Sequence, residues 1–404
     1  MPLVRLRPGH RRAQVPRLLP GQRVRLVPRE RALHHPVPLV RQTHGVRGGE
    51  LQPLRSIPHG GLQVPQLPQG EPPPAVGAGL RPLRDVVGDL IWQVQPGSVT
   101  TYGDLARALG DIVAARAVAA ITMDELDPED FPTHRVVRKD GTLGNHPLGE
   151  SEKSRRLTVE GISIQDGRVE DMPDMRQMFF ESDLPLKKLR KLQAALGEHL
   201  NLGPLGTRPR TLVGVDVAYS RDGYAFASAI GVDARTHAIT ETRFHRSEVT
   251  FPYIPTYLAF REMPAIESVL EGMALEGALL MVDGQGILHP RGFGIACHVG
   301  VSLGIPTIGV AKRLLTGSYD SAALRREGLA AVLVEGEHRG WVIAPGGEKR
   351  KTAFVSPGHM VSVDDSLRLA MGSMGKRQPR PLELAHSAAT SARRAWDPHS
   401  TMSS

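Results

Sequence analysis

The sequence predicts a multidomain chain of α/β and α+β class, in which a small domain of short helices precedes a larger mixed α/β domain. Short helical patterns fill residues 81–171, and apolar strands alternate with helices across residues 183–396. A length of 404 residues leaves room for both domains and for a compositionally biased N-terminal segment, residues 1–80.

The N-terminal segment differs in composition from the rest of the chain. Residues 1–80 contain 12 Arg and 3 Glu but no Lys or Asp, which gives +9; the whole chain carries +8, so the remainder sums to −1. Their 14 Pro and 10 Gly interrupt every helical or strand period, which predicts disorder. Two interpretations stay open: a flexible cationic arm that attracts DNA phosphates, or a segment without specific function, including a start codon assigned too far upstream.

Residues 81–171 contain several short helical patterns separated by turns. Apolar residues recur at helical spacing in residues 85–94 and 102–109, and residues 114–121 and 151–160 are two further helix candidates. Several short helices around a turn favour a compact DNA-binding unit of the helix-turn-helix type.

From residue 183 onwards the pattern changes. Residues 183–200 predict an amphipathic helix with a basic face. Strands are predicted at residues 211–219, 224–232, 238–245, 278–283, 307–310, 330–335 and 340–343, and helices at residues 257–271, 297–303, 362–374 and 382–394. Three opening strands followed by alternating helices and strands predict a mixed α/β sheet.

The composition excludes several classes of protein. A single cysteine, Cys297, excludes an intramolecular disulfide framework and a multi-cysteine zinc site. No run approaches the roughly 20 apolar residues that a membrane span needs, and no charged-then-apolar leader opens the chain. We therefore expect a cytoplasmic protein without a membrane partner.

Two aspartates lie on predicted strands. Asp216 lies within an apolar strand, and Asp283 ends another. A buried, unpaired carboxylate is costly, and two adjacent carboxylates repel each other unless a divalent cation lies between them. Oxygen ligands suit Mg²⁺ or Mn²⁺, which can activate a water molecule against a phosphodiester. The alternative is that each aspartate caps a turn or a helix.

The segment PYIPTYLAFRE adds a third carboxylate, Glu262, and a candidate wedge. Pro252 and Pro255 stiffen a short loop and are expected to hold Tyr253 and Ile254 out as a rigid apolar tip. Such a tip can push between stacked bases. Packing of the tyrosine in a core is the alternative.

About 210 residues, from Leu184 to near Arg394, resemble the endonuclease V family. The resemblance rests on the ordered runs VGVDVAYS, PYIPTYLAFRE, VDGQGILHPRGFGIACHVGVSLGIPTIGVAKRLL, VSPGHMVSVDDSL and LELAHSAA. It implies an RNase H-like fold with a central mixed sheet. It also implies Mg²⁺- or Mn²⁺-dependent cleavage of the second phosphodiester 3′ to hypoxanthine, which is deaminated adenine.

The resemblance implies a role for each matching polar residue. Asp216 and Asp283 match the metal ligands, Glu262 matches a third carboxylate that helps to place metal-bound water, and Tyr253 matches the strand-separating wedge. The phosphate-contacting lysine and two histidines near the cut correspond to Lys312, His289 and His386. Where the family has histidine, this chain has Gln285, which keeps hydrogen bonding but cannot carry charge. That difference puts the rate or the metal preference in question.

Residues 81–171 resemble a second family, the alkylguanine-DNA alkyltransferases, in their DNA-binding domain. The match covers about 85 residues and rests on the runs GSVTTYGDLARALG, AARAVA, PTHRVVRKDGTLG and LTVEGI. It implies a winged helix-turn-helix that flips a modified guanine into a pocket. Active members carry cysteine in PCHRV, whereas this chain has Thr133, whose hydroxyl offers no thiolate near neutral pH. We therefore expect an alkyltransferase-like domain that binds O6-alkylguanine in duplex DNA without transferring the alkyl group.

Other positions of that motif are kept. Arg116 matches the finger that replaces the flipped base, and Tyr102 matches the tyrosine that helps to rotate the phosphate. The residues matched around the missing thiol are His134, Arg135 and Glu160. Glu125 stands where asparagine is expected, and NHPLG replaces a glycine- and tyrosine-rich gate. The alternative is a degenerate domain that binds DNA without specificity.

Together the two resemblances predict a bifunctional DNA repair protein, a deaminated-base endonuclease fused to a lesion-binding domain. Two alternatives stay open: a noncatalytic lesion sensor that recruits other repair factors, and an inosine-specific endoribonuclease. The intact acidic centre argues against the sensor. A domain built to flip bases out of a duplex favours DNA over RNA.

Overall fold

The computed structural model describes residues 81–344 and 352–396. The expectations for residues 1–80 lie outside this part of the chain. Across the two described ranges, no helix has both the length and the apolar character that crossing a lipid bilayer requires.

The first part of the described chain consists of short helices and two small strand pairs. Its helices are α1 (Leu83–Trp92), α2 (Tyr102–Ala108), α3 (Ala115–Ala120), α4 (Glu150–Val159) and α5 (Met172–Met175). The strands are β1 (Thr100–Thr101) and β2 (Val136–Val137), which pair in parallel, and β3 (Ile164–Gln165) and β4 (Arg168–Val169), which form a hairpin. All four helical patterns of the sequence correspond to helices here. At the start of α2, Thr101 and Asp104 cap each other's backbone in a capping box.

This part extends beyond residue 171, where its sequence resemblance ends. Arg176 donates two hydrogen bonds of 2.8 Å to the carboxylate of Asp104, and its backbone pairs with Val99. Met172 and Met175 pack against the small core around Leu157. The contacts of the first part therefore continue through α5.

A nine-stranded mixed sheet forms the second part, in the order β10-β11-β12-β13-β9-β8-β5-β6-β7. The strands are β5 (Thr211–Tyr219), β6 (Tyr224–Asp233), β7 (Ile239–Glu248), β8 (Ala278–Asp283), β9 (Thr307–Ala311), β10 (Ser318–Tyr319), β11 (Leu329–Val334), β12 (Glu337–Ile343) and β13 (Ala353–His359). The β5–β8 and β8–β9 pairs are parallel, and the other neighbours are antiparallel. The predicted mixed sheet is present.

Helices cover both faces of this sheet. They are α6 (Pro185–Gly197), α7 (Leu258–Leu270), α8 (Ile295–Leu303), α9 (Ser321–Glu327), α10 (Val363–Gly372) and α11 (Arg380–Trp396). The helices α7 and α8 pack on one face, and α10 and α11 pack on the other. Because the central strands β5 and β8 are buried on both faces, their sequences are nearly continuous apolar runs in which an aspartate stands out.

The strand β13 lies in the middle of the sheet but was not predicted. It contains Pro357 and Gly358, which argue against a central strand because proline donates no backbone hydrogen bond. The ladder accommodates the proline through a register shift between Pro357 and His359. The Pro357 carbonyl accepts a hydrogen bond of 3.0 Å from the backbone of Ile287, so the irregular strand also supports the loop after β8.

Candidate active site

The sheet brings Asp216 and Asp283 to the same place. The strands β5 and β8 are parallel neighbours, and Val215 pairs with Val282, so the two aspartates that follow lie side by side at the carboxyl ends of their strands. His386 reaches them from α11, because Gly214 lets this helix approach β5: a Cβ at Gly214 would lie 2.2 Å from the Pro381 backbone. The Nδ1 atom of His386 lies 2.8 Å from Oδ2 of Asp216.

These three residues offer a candidate metal site. One ligand atom from each of Asp216, Asp283 and His386 lies within 4.8 Å of the other two. Two carboxylates and one imidazole form an oxygen-rich ligand set, which suits Mg²⁺ or Mn²⁺. From the sequence, His386 was predicted to lie near the scissile phosphate but not to be a metal ligand. Sequence spacing alone does not show which helix packs against β5.

Glu262 is the buried member of the acidic centre. It lies on α7, and the Tyr219 hydroxyl donates a hydrogen bond of 3.1 Å to its Oε1 atom. Burial, followed by the negative charge of Asp216, raises the pKa of Glu262 to about 8. Burial and the charge of Asp283 raise the pKa of Asp216 to about 6, although His386 opposes the shift.

Lys312 provides the positive charge of the site. It follows β9, and its Nζ atom lies 2.6 Å from Oδ2 of Asp283. Burial opposes its charged form, but the neighbouring Asp283 carboxylate outweighs burial and raises the pKa of Lys312. The lysine therefore remains charged near neutral pH and faces the acidic centre from an exposed position.

His289 and Gln285 belong to the loop after β8. The Nδ1 atom of His289 accepts a hydrogen bond of 3.2 Å from the Arg291 backbone, and burial, with the charge of Arg291, lowers the pKa of His289 to about 4. Within the described ranges, no direct hydrogen bond joins this histidine to the three carboxylates. Gln285 donates from Nε2 to the Arg313 carbonyl at 2.6 Å. Its buried Oε1 atom has no hydrogen-bond partner among the residues that the structure describes.

The candidate wedge is a single residue, Tyr253, whose exposure is 63%. The expectation that Ile254 shares the exposed tip is wrong, because its exposure is 1%. The reason is the apolar cluster beneath the loop, where Ile254 packs with residues of α1, α2 and α3. Burial of such a side chain contributes about 1.5–3 kcal/mol. Pro255 is exposed beside it.

In the first domain, Thr133 is completely buried. Its hydroxyl lies 3.2 Å from Nε2 of His146. Next to it, Nε2 of His134 lies 2.9 Å from Oε1 of Glu160, and Arg135 donates to both oxygens of the same carboxylate. The frame predicted around the missing thiol is therefore assembled.

The remaining predicted residues of the first domain lie around this frame. Arg116 is exposed on α3. Tyr102 is partly buried, and burial raises the pKa of its hydroxyl. Glu125 ends a single π-helical turn, Ile121–Glu125, and accepts a hydrogen bond of 2.9 Å from Arg84 through its carbonyl. Burial raises the pKa of the Glu125 carboxyl.

Sequence reasoning missed two polar residues near Thr133. His146 lies in the NHPLG run, whose departure from the expected gate was the only signal for it; burial, together with the positive charge of Lys153, lowers the pKa of His146 to about 4. Lys153 is completely buried, and its Nζ atom donates to the Val136 carbonyl at 2.6 Å. Burial lowers the pKa of Lys153 to about 7. Nothing in the polar sequence of α4 distinguishes this lysine from its exposed neighbours.

Comparisons with known proteins match both parts of the chain. The Endonuclease V family profile matches residues 194–387, and the profile of the 6-O-methylguanine DNA methyltransferase DNA-binding domain matches residues 82–162. A bifunctional methyltransferase/endonuclease from Thermoplasma volcanium is 36% identical over 304 residues, which cover 74% of this chain and 86% of the relative. An endonuclease V from Thermofilum pendens is 39% identical, covering 54% of this chain and 92% of the relative. A crystal structure of endonuclease V from Streptomyces avermitilis has 34% identity and a TM-score of 0.48, and covers 52% of this chain and 94% of that one.

Proposed function

This chain belongs to the endonuclease V family, and from that premise we propose that Asp216, Glu262 and Asp283 form its cutting centre. The chain is a DNA repair endonuclease with a fused methyltransferase-type DNA-binding domain. Its substrate in this proposal is duplex DNA with a deaminated base, hypoxanthine, which it cuts at the second phosphodiester on the 3′ side. The observation that carries the proposal is the meeting of two strand-borne carboxylates with His386 inside the family-matched region.

The chemistry divides among a few residues. A divalent cation, Mg²⁺ or Mn²⁺, bound by Asp216, Asp283 and His386 would polarise the phosphodiester and lower the pKa of a water molecule. Lys312 presents an exposed positive charge beside this site and stabilises the additional negative charge of the scissile phosphate. Glu262 is buried beside Asp216, and in this proposal it orients water.

The finer fold assignments belong to the same proposal. We assign the nine-stranded sheet to the RNase H-like class, which the antiparallel β5-β6-β7 unit followed by parallel β8 and β9 supports. We assign the first domain to the winged helix-turn-helix class, with α2 and α3 as the helix pair and the β3–β4 hairpin as a candidate wing.

The first domain is proposed to bind O6-alkylguanine without accepting its alkyl group. Thr133 provides a hydroxyl in place of a thiol, and the buried His146 beside it is neutral near pH 7. A neutral hydroxyl is a weak nucleophile towards an alkyl carbon. The pair can still form hydrogen bonds with a base that enters the pocket.

A nicking assay tests the nuclease. Duplexes that differ only in one base, inosine or adenine, are incubated with the full chain and Mg²⁺ or Mn²⁺. We expect a single nick on the 3′ side of inosine, and its loss in Asp216→Ala. Asp364→Ala, which changes an exposed aspartate on α10, serves as the matched control. A folded wild-type protein that leaves the inosine strand intact would refute the cutting centre and favour a noncatalytic lesion sensor.

Two further substrates complete this test. An inosine-containing RNA of the same sequence competes with the DNA, and preferential cleavage of the RNA would assign the activity to an endoribonuclease. A duplex with radiolabelled O6-methylguanine tests the first domain. We expect the duplex to be retained in a gel-shift assay while no label appears on the protein.

A further inference from the structure

The two domains share one apolar core. Buried residues of α1, α2 and α3 pack against Leu186 and Leu189 of α6 and against three residues of the nuclease, Ile254, Tyr257 and Phe260. Tyr257 is the largest completely buried side chain among the described residues. The nuclease segment that follows the wedge is therefore packed against the DNA-binding helices.

A hydrogen bond crosses this shared core. The Tyr257 hydroxyl donates to Oδ2 of Asp111 at 2.8 Å. Oδ1 of Asp111 caps the backbone of Val113 at the start of the short turn that leads into α3. Burial, and then the charge of Asp111, raises the pKa of the Tyr257 hydroxyl, so it remains a donor at all ordinary pH values. The acceptor is a carboxylate, and a hydrogen bond to a charged group is among the stronger ones.

The loop on the nuclease side of this bond is fixed. Arg291 lies over the ring of Tyr257 at 4.6 Å, and its Nη1 atom donates to the Thr256 hydroxyl at 2.9 Å. Thr256 has φ 69°, a left-handed conformation that is costly for a β-branched residue and persists only where its surroundings hold it. The segment between the exposed Tyr253 and the helix that carries Glu262 is thereby held in one conformation.

Both partners of the Tyr257–Asp111 hydrogen bond lie close in sequence to residues that are expected to contact DNA. Asp111 precedes α3, where Arg116 is exposed, and Tyr257 lies between Tyr253 and Glu262. We propose that Tyr257 is a positioning residue that fixes the wedge and the Glu262 helix relative to α3, so that both domains bind one DNA duplex. This inference rests on the proposed function, because it assigns that function a single duplex held by both domains.

A double-mutant cycle tests the coupling with Arg116→Ala and Tyr257→Phe. The phenylalanine keeps the ring in the core and removes only the hydroxyl. The dissociation constant for an inosine duplex is measured in EDTA, where binding is read without cleavage, and kcat/KM is measured with Mg²⁺. We expect each single variant to weaken duplex binding about tenfold, which is about 1.4 kcal/mol, and the double variant to be no weaker than either one.

Two controls separate positioning from a general structural effect. Tyr319→Phe makes the same chemical change on β10. This variant should bind the duplex as tightly as the wild type, and Arg116→Ala should weaken its binding by the same factor as in the wild type. Asp111→Asn keeps an oxygen that can cap Val113 but removes the carboxylate that accepts from Tyr257 and lies 3.5 Å from Arg190. If the Tyr257 contact carries the coupling, Asp111→Asn should weaken duplex binding no further in the Tyr257→Phe background. A variant that only loses stability would melt at a lower temperature yet keep the full tenfold response to Arg116→Ala.

The outcomes are distinguishable. A hundredfold weakening in the double variant, or an unchanged affinity in Tyr257→Phe, would overturn the coupling even if the wild type nicks inosine DNA. Failure of the wild type to nick would overturn the proposed function alone, because the cycle in EDTA does not depend on cleavage.

Discussion

Replacing Glu262 with glutamine should make the metal-free protein more stable while it impairs cutting. Glutamine has nearly the shape of a protonated glutamate, so the Glu262→Gln variant keeps the packing of α7 and an acceptor for the Tyr219 hydroxyl. What it removes is the ability to ionise. The effect on folding therefore measures what the buried carboxyl contributes to the acidic centre.

The magnitude follows from the pKa of the carboxyl. Its pKa is 4.5 when solvated, and burial with the neighbouring charge of Asp216 raises it to about 8 in the folded protein. The folded state thus binds more protons than the unfolded state between these two pH values, and its stability falls as the pH rises through that window. Each pH unit in this window is worth about 1.4 kcal/mol. Ionisation of Glu262 in the unfolded chain therefore lowers the free energy of unfolding by about 3 kcal/mol at pH 7 and by less than about 1 kcal/mol at pH 5.

Urea unfolding in EDTA at pH 5 and pH 7 measures this difference. We expect Glu262→Gln to exceed the wild type by about 3 kcal/mol at pH 7 and by much less at pH 5, with Glu276→Gln, an exposed position, as the matched control. With Mg²⁺ or Mn²⁺, nicking by Glu262→Gln should fall about 10- to 100-fold, the range for residues that support metal ligands. A gain that is the same at both pH values, or a less stable variant, would show that Glu262 is ionised in the folded metal-free protein.

Three further substitutions test separate parts of the two sites. Tyr253→Ala removes an exposed ring, so nicking of an inosine duplex should fall about tenfold while the free energy of unfolding stays within about 0.5 kcal/mol of the wild type. Lys312→Ala should lower kcat by about a hundredfold with little change in the dissociation constant for the duplex in EDTA, and unchanged kcat would remove the lysine from the reaction. Thr133→Cys should take up the methyl group from labelled O6-methylguanine DNA, which mass spectrometry of the protein detects. Thr133→Ser should take up none, because only the thiol yields a thiolate beside His134 and Glu160.

Periodicity gave most helices and strands because their apolar residues mark one or two buried faces. The strand at Thr211–Tyr219 and the strand at Ala278–Asp283 occur with the bounds that were predicted. The strand β13 was not predicted because Pro357 breaks the local pattern. The sheet accommodates this proline through a register shift between β13 and β9. Such a compensation is a tertiary property, which local sequence does not encode.

The sequence identified the carboxylates of the acidic centre but not all of the contacts that they make. An aspartate within an apolar strand is visible in sequence, and so is the loop with two prolines. The sequence did not reveal that His386 lies against Asp216, because that contact depends on how closely α11 approaches Gly214. Nor did it reveal that Ile254 turns inward, since the core it joins is formed by helices of the other domain.

The protonation states of the two sites support the proposed division of labour. In the nuclease, burial and the charge of Asp283 raise the pKa of Asp216, and burial and the charge of Asp216 raise the pKa of Glu262. Such an arrangement destabilises the folded state and is typical of sites where cations and protons are exchanged. Around Thr133 the frame is neutral at its centre: the hydroxyl faces an imidazole that burial keeps unprotonated. The Thr133 hydroxyl can donate and accept hydrogen bonds, but it is not an anion that could displace an alkyl group. The first domain is therefore suited to recognising a base and the second to cutting the strand, and the Tyr257–Asp111 bond gives the two a fixed relation on one duplex.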